Sequence, residues 1–212
     1  VDRHAAQLSE IPDTAPKTSP RRRSAQRKIQ SLTPEEADQL VAKAQELAHP
    51  YEAMIRLGLA RGLRPGELAG LTREDVDFEK RTVFVHRARI DENGTLRLGK
   101  PKTKKSERLL AVPPDVIDAL RRRRVQWEQE RARAGAAWQD LDLVFCTKTD
   151  GFIDRANLRH HFERLGRQAG IDGLTPYLLR HSATSILAEE GVPPDGLAEM
   201  LGHTDTRIVG RH

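Results

Sequence analysis

The chain has 212 residues, 32% charged and 37% hydrophobic, which suits one domain of ordinary size with a tail. No apolar run approaches the roughly 20 residues of a membrane span, and Val1-Asp2-Arg3-His4 offers no apolar signal-peptide core, so no membrane partner and a cytoplasmic setting are expected. The single cysteine, Cys146, excludes an internal disulfide, a multi-cysteine zinc site and an iron–sulfur cluster.

The formal charge of +5 points to a polyanionic partner. Its distribution qualifies that. Residues 1–30 hold seven basic side chains (Arg3, Lys17, Arg21, Arg22, Arg23, Arg27, Lys28) against three acids (Asp2, Glu10, Asp13), so the remainder is close to neutral. A nucleic-acid face must therefore come from segregated charge. Arginine outnumbers lysine 27 to 9, which favours planar, bidentate partners such as phosphate. Aromatics are only 4%, too few for a base-stacking platform.

Residues 1–30 are rich in Pro, Ser, Thr and Arg without an apolar period, and read as a disordered basic linker or arm. Thr33-Pro34-Glu35-Glu36 is a capping box with proline at the first helical position. Leu40, Val41, Ala44, Leu47 and Ala48 then recur at helical spacing. A second helix runs through Met54–Leu59 and stops near Gly62; Pro65 starts a short third one. Arg81–His86 alternates as a strand does, and Asn93-Gly94 marks a hairpin turn. Leu96–Leu98 and Arg108–Val112 complete one small antiparallel sheet, with a basic turn from Gly99 to Ser106 between them. From Pro114 the chain is helical again: a long charged helix over 115–133, an apolar insert at 141–145, and helices near 154–169, 176–190 and 194–201. Another begins near Thr204. The class is α+β, mostly α, with a small antiparallel sheet or hairpin.

Four local patterns remain. They are Gly62-Leu63-Arg64-Pro65-Gly66-Glu67-Leu68 with Leu71-Thr72-Arg73-Glu74-Asp75-Val76-Asp77; the basic turn around Lys102; Thr175-Pro176-Tyr177-Leu178-Leu179-Arg180-His181-Ser182-Ala183; and Leu201-Gly202-His203-Thr204-Asp205. In this order, with the opening Leu32–Ala37, they resemble the catalytic domain of tyrosine recombinases, the phage integrases, over about residues 31–212. The resemblance implies a helical catalytic domain acting on double-stranded DNA, as a homo-tetramer during recombination and without a cofactor or metal. It matches Arg64 and Arg180 to the two catalytic arginines, Lys102 to the hairpin lysine and His203 to the histidine after Leu-Gly. Glu67 becomes a structural partner of the arginines. Lys100, Lys104, Lys105, Arg207 and Arg211 are the further DNA-binding candidates, with Lys104 the substitute should Lys102 not act.

The family's chemistry explains these residue types. A tyrosine attacks a DNA phosphodiester, and negative charge gathers on the non-bridging oxygens, where guanidiniums hold it. A lysine can protonate the departing 5′-oxygen.

Two departures stand out. Tyr177 replaces the family's usual histidine three residues before the second arginine. A phenol of pKa near ~10 is a poor base at neutral pH, so Tyr177 is expected to hydrogen-bond phosphate. The family's nucleophilic tyrosine follows the Leu-Gly-His histidine by about nine or ten positions, yet nine past His203 stands His212, and the only tyrosines are Tyr51 and Tyr177. The expectation is a chain cut at or just before its nucleophile, which binds DNA without cleaving it in cis.

Other features have plainer readings. His181 is a structural hydrogen bonder, His160 and His161 are solvated, Cys146 is a core thiol, and Arg121–Arg124 circles a helix as a solvated or phosphate-facing stretch. A competing function is a helix-turn-helix regulator or recombination accessory protein using 197–202 and 204–209. A type IB topoisomerase shares the phosphotyrosine chemistry. The recombinase reading requires Arg64 and Arg180 within ~12 Å of each other, since both must reach one phosphate.

Overall fold

A computed structural model describes residues 31–100 and 107–202. The chain enters through Leu32, whose backbone N–H donates to Ser182 Oγ at 2.8 Å. The first helix, α1 (Pro34–Glu46), starts on the capping box, with Thr33 Oγ1 accepting from Glu36 N and Glu36 Oε2 accepting from Thr33 N. It buries Ala37, Leu40 and Ala44, one stripe of the helix.

Helix α2 (Glu52–Arg61) is the central element: Met54, Ile55 and Leu57 are wholly buried, and α1 and the helices Pro114–Ala134 and Pro176–Glu189 pack around it. Burial of each such side chain contributes about 1.5–3 kcal/mol. The helix stops at Gly62, at φ +60°, and a Cβ there would lie 2.5 Å from Leu201 Cδ2. Glycine is thus required twice, for its backbone angle and for the close approach of the last helix. The short α3 (Pro65–Ala69) follows, packed on the strand Ala88–Glu92.

The expected single sheet is two. Strands β1 (Val76–Asp77), β2 (Thr82–Val85) and β5 (Arg108–Ala111) form one antiparallel sheet in the order β1-β2-β5. Strands β3 (Ala88–Glu92) and β4 (Thr95–Gly99) form a separate hairpin. Glu92 pairs with Thr95, leaving Asn93 and Gly94 as the two-residue loop, both at positive φ (54° and 83°) as the dipeptide predicts. In β5 the alternation turns Arg108 and Leu110 inward and Leu109 outward; Arg108 pairs with Val85 of β2.

The second half is helical: α4 (Pro114–Ala134), α5 (Arg155–Gln168), α6 (Pro176–Glu189) and α7 (Pro194–Leu201). The 141–145 insert contributes a bridge between Leu143 and Thr72. The arginine run on α4 departs from a solvated stretch at one position. Arg123 is buried, donates to Val144 O at 2.9 Å and pairs with Glu130 at 2.9 Å. Arg122 meets Glu52, Arg121 meets Asp118 and Arg124 meets Glu128. His161 stands edge-on to Tyr51 with ring centroids 5.3 Å apart. Cys146 is buried, and burial pushes its thiol up to about 12. Among the described residues no helix is long and apolar enough to cross a membrane.

Candidate active site

The site forms where the start of α3, the middle of α6, the first residue of β5 and the end of α7 meet. Arg64 is the N-cap of α3, fixed there by Pro65 at the first helical position. Its backbone N–H donates to Glu67 Oε2 at 2.9 Å and its Nη1 to Glu67 Oε1 at 2.9 Å. Glu67 is buried, yet its carboxyl lies below the ordinary value. Burial by itself would raise it; the hydrogen bonds and charge of Arg108, then those of Arg64, outweigh that.

Arg108 was not singled out by sequence, and it lies at the centre. Its Nη2 and Nη1 donate to Glu67 Oε2 and Oε1 at 2.9 and 3.2 Å, a bidentate pair with both side chains 7% exposed. Its Nε donates to Met200 O at 2.8 Å. The available signal was strand alternation: with Leu110 inward, position 108 also faces in, and a buried guanidinium needs an acid.

Arg180 comes from α6 and is buried where the ends of α2 and α7 meet it. Nη1 donates to Gly62 O at 2.5 Å and Nη2 to Leu201 O at 2.9 Å. Burial, followed by the like charge of Arg64, pushes Arg180 down to about 10, so it remains a cation at neutral pH. Arg64 Nη2 in turn donates to Gly202 O at 3.4 Å. The three carbonyls that end α7, those of Met200, Leu201 and Gly202, are thus held by Arg108, Arg180 and Arg64 respectively. Helix C-terminal carbonyls lack intrahelical partners and carry the negative end of the dipole, which guanidiniums match. Because Leu201 and Gly202 are consecutive, Arg64 and Arg180 lie within about 11 Å of each other. The Arg64 side chain is 39% exposed, so the cluster opens to solvent on that side.

Tyr177 sits one turn before Arg180 on α6 and is 51% exposed. Tyr51 is buried, and burial pushes its phenol up to about 12. Lys100 is exposed directly after β4. Lys102, Lys104, Lys105, His203, Arg207 and Arg211 lie outside the described residues, as do the basic arm 1–30 and the helix expected near Thr204. The second half of the first motif is scaffolding. Asp75 Oδ2 accepts from Thr72 N and Oγ1 at 2.9 and 2.7 Å, and Asp75 Oδ1 lies 2.7 Å from His86 Nε2.

Comparison with known proteins bears on the fold and the family. A tyrosine recombinase XerC-like protein of Caldanaerobacter subterraneus is 32% identical over 187 residues, covering 82% of this chain and 48% of that protein. An integrase of Streptomyces ambofaciens is 30% identical over 216 residues, covering 99% of this chain and 53% of its own length. The chain therefore spans about half the length of these relatives. Among solved structures, the Tn1549 transposon integrase in complex with transposon right end DNA superposes with a TM-score of 0.73 at 22% identity, over 84% of this chain and 59% of that one. XerA recombinase superposes at 0.66 and 22% identity, over 91% and 60%. The sequence profile of the phage integrase family matches residues 30–212. With the profile spanning all the described residues, the chain belongs to the phage integrase family.

Proposed function

We propose that this chain is the catalytic domain of a site-specific DNA recombinase, preceded by a basic arm over residues 1–30, and that it holds a DNA phosphodiester for cleavage and rejoining through a 3′-phosphotyrosine. The observation that carries this reading is the meeting of Arg64 and Arg180, 116 positions apart in sequence, on adjacent carbonyls at the end of α7. A simple groove-reading regulator has no need of that convergence. Solved relatives such as XerH bound to its difH substrate share the fold with a TM-score of 0.64.

In the proposed reaction a tyrosine oxygen bonds to phosphorus and loses its proton, while the bond from phosphorus to the 5′-oxygen breaks. Lys102 supplies the proton that the 5′-oxygen takes up. Arg64 and Arg180 hold the non-bridging oxygens, where charge builds in the transition state. The Arg64–Gly202 bond is at 3.4 Å the longest of the cluster among the described residues, and its Arg64 donor is the one a phosphate oxygen takes over most readily. His203 and Tyr177 hydrogen-bond the phosphate, and Lys100, Lys104, Lys105, Arg207 and Arg211 contact the DNA backbone. The phosphoester is conserved in the covalent intermediate, so rejoining needs no ATP. Neither Tyr51 nor Tyr177 lies after His203, so we assign the attack to a tyrosine outside these 212 residues. Four copies on two duplexes would carry out the exchange, in the cytoplasm.

The test has two parts. The 212-residue chain should bind duplex DNA with a steep salt dependence, weakened by Arg64→Glu; no binding at ~50 mM salt would refute the reading. Variants carrying His212→Tyr, or a tyrosine appended after His212, are then mixed with a random-sequence duplex pool and denatured. Covalent DNA adducts are expected from one of them and not from the parent. An adduct formed by the parent would place the nucleophile at Tyr177 instead.

A further inference from the structure

We infer that Arg108 is a positioning residue for the phosphate-holding arginines: it sets Arg64 through Glu67 and sets the end of α7 through Met200, without itself touching phosphate. This rests on the functional reading above.

The geometry has three parts. Arg108 is the first residue of β5, six positions after Lys102 in sequence. Its two Nη atoms close a bidentate pair on Glu67, the same carboxylate that receives Arg64 through both its backbone and its side chain. Its Nε holds the carbonyl of Met200, three residues before His203. One guanidinium therefore joins strand β5, the helix that starts at Arg64, and the helix that ends at Leu201, two positions before His203 in sequence.

Burial separates its role from that of Arg64. The Arg108 side chain is 7% exposed, against 39% for Arg64. Gly202, at φ +63°, covers it so closely that a Cβ there would stand 3.0 Å from Arg108 Nη1. An incoming phosphate meets Arg64 first and finds Arg108 behind Glu67. Lysine cannot substitute, because an ammonium is a point charge and cannot span two carboxylate oxygens and a carbonyl at once.

The test uses the 212-residue chain with 15N-labelled arginine, observed by NMR, and dimethyl phosphate as a diester probe. In the parent, the Arg64 and Arg180 Nε–Hε signals should move on titration, whereas the Arg108 signal stays still and exchanges slowly with solvent. Arg108→Met should weaken the Arg64 response at least tenfold. Arg108→Lys, which keeps the charge and the better chance of folding, should weaken it nearly as much. Both variants are compared by circular dichroism, so that a loss of fold is seen directly. An Arg108 signal that moves with Arg64 would make it a direct ligand and overturn the proposal. So would an affinity for dimethyl phosphate within twofold of the parent in a folded Arg108→Lys. Arg64→Ala is the control: if it leaves the affinity unchanged, the phosphate-site reading itself fails, independently of Arg108.

Discussion

Replacing Glu67 by Gln tests whether the cluster is held by its central carboxylate. Each Glu67 oxygen serves two donors. Oε1 accepts from Arg64 Nη1 and Arg108 Nη1, and Oε2 accepts from Arg64 N and Arg108 Nη2. Glutamine has one acceptor oxygen, so in either orientation its amide nitrogen faces two donors. One bond to Arg64 and one to Arg108 are lost whichever way it turns. The Arg108 bond is buried and charge-assisted, worth about 1.5–3 kcal/mol. A side-chain bond to the part-exposed Arg64 adds no more than about 1 kcal/mol. Arg108 also loses the carboxylate charge of Glu67 beside it, which brings the total to about 3–5 kcal/mol, the usual cost of breaking a buried pair. For a chain of this length that is roughly a 10 °C fall in Tm.

Urea denaturation of parent and variant across pH gives a second check. The Glu67 carboxyl lies below the ordinary 4.5 in the folded chain. A depressed folded pKa stabilises above the unfolded value and ceases to do so as pH falls through the folded one. The gap between parent and Glu67→Gln should therefore be constant from pH 8 to about 5 and close below 4.5. A gap under ~1 kcal/mol at pH 7, with unchanged urea slope, would refute the account of the cluster.

Arg180→Ala should abolish covalent adducts in the tyrosine-bearing variants while leaving most duplex binding, and should cost about 2–4 kcal/mol in urea because the Gly62 and Leu201 carbonyls lose their donor; undiminished adducts would contradict its placement. Gly70→Ala should be severely destabilising by thermal denaturation, since the added Cβ would stand 2.7 Å from the Ala88 carbonyl carbon and 2.9 Å from its Cα, backbone that side-chain rotation cannot move. Thr33→Ala should lose about 1 kcal/mol with the capping box, measured in the same way, and no DNA affinity.

Much of the helical frame was legible because its signals are local. Thr33 through Glu36 announces α1, Gly62 ends α2, Pro65 begins α3, and Asn93-Gly94 supplies the positive φ angles of its hairpin. Strand β3 was missed because Ala-Arg-Ile-Asp-Glu has no apolar alternation; none of its residues is fully buried, and the turn sets its register with β4. That omission also merged two sheets into one. Arg108 and Arg123 escaped notice for a common reason: charged residues are ordinarily solvent-facing, and only the three-dimensional arrival of Glu67 or Glu130 makes a buried guanidinium tolerable. The meeting of Arg64 with Arg180 has no local sign. It became expected only through the resemblance, because the motifs are separated by most of the domain.

The end of α7 is secured differently from its flank. An apolar stripe, such as Leu197, Ala198 and Leu201, allows a helix to roll or slide slightly against its neighbours. Three directed hydrogen bonds on three successive carbonyls do not, because those of Met200 and Leu201 are spaced about 100° around the axis and 1.5 Å along it, and that of Gly202 is aimed by the left-handed turn that ends the helix. The helix is thereby indexed like a keyed shaft. Inserting or deleting one residue within α7 would present every carbonyl to the wrong arginine, while the hydrophobic contacts could still re-form. Length variation should thus be tolerated in the Glu190–Pro193 connection before α7 and not within the helix itself.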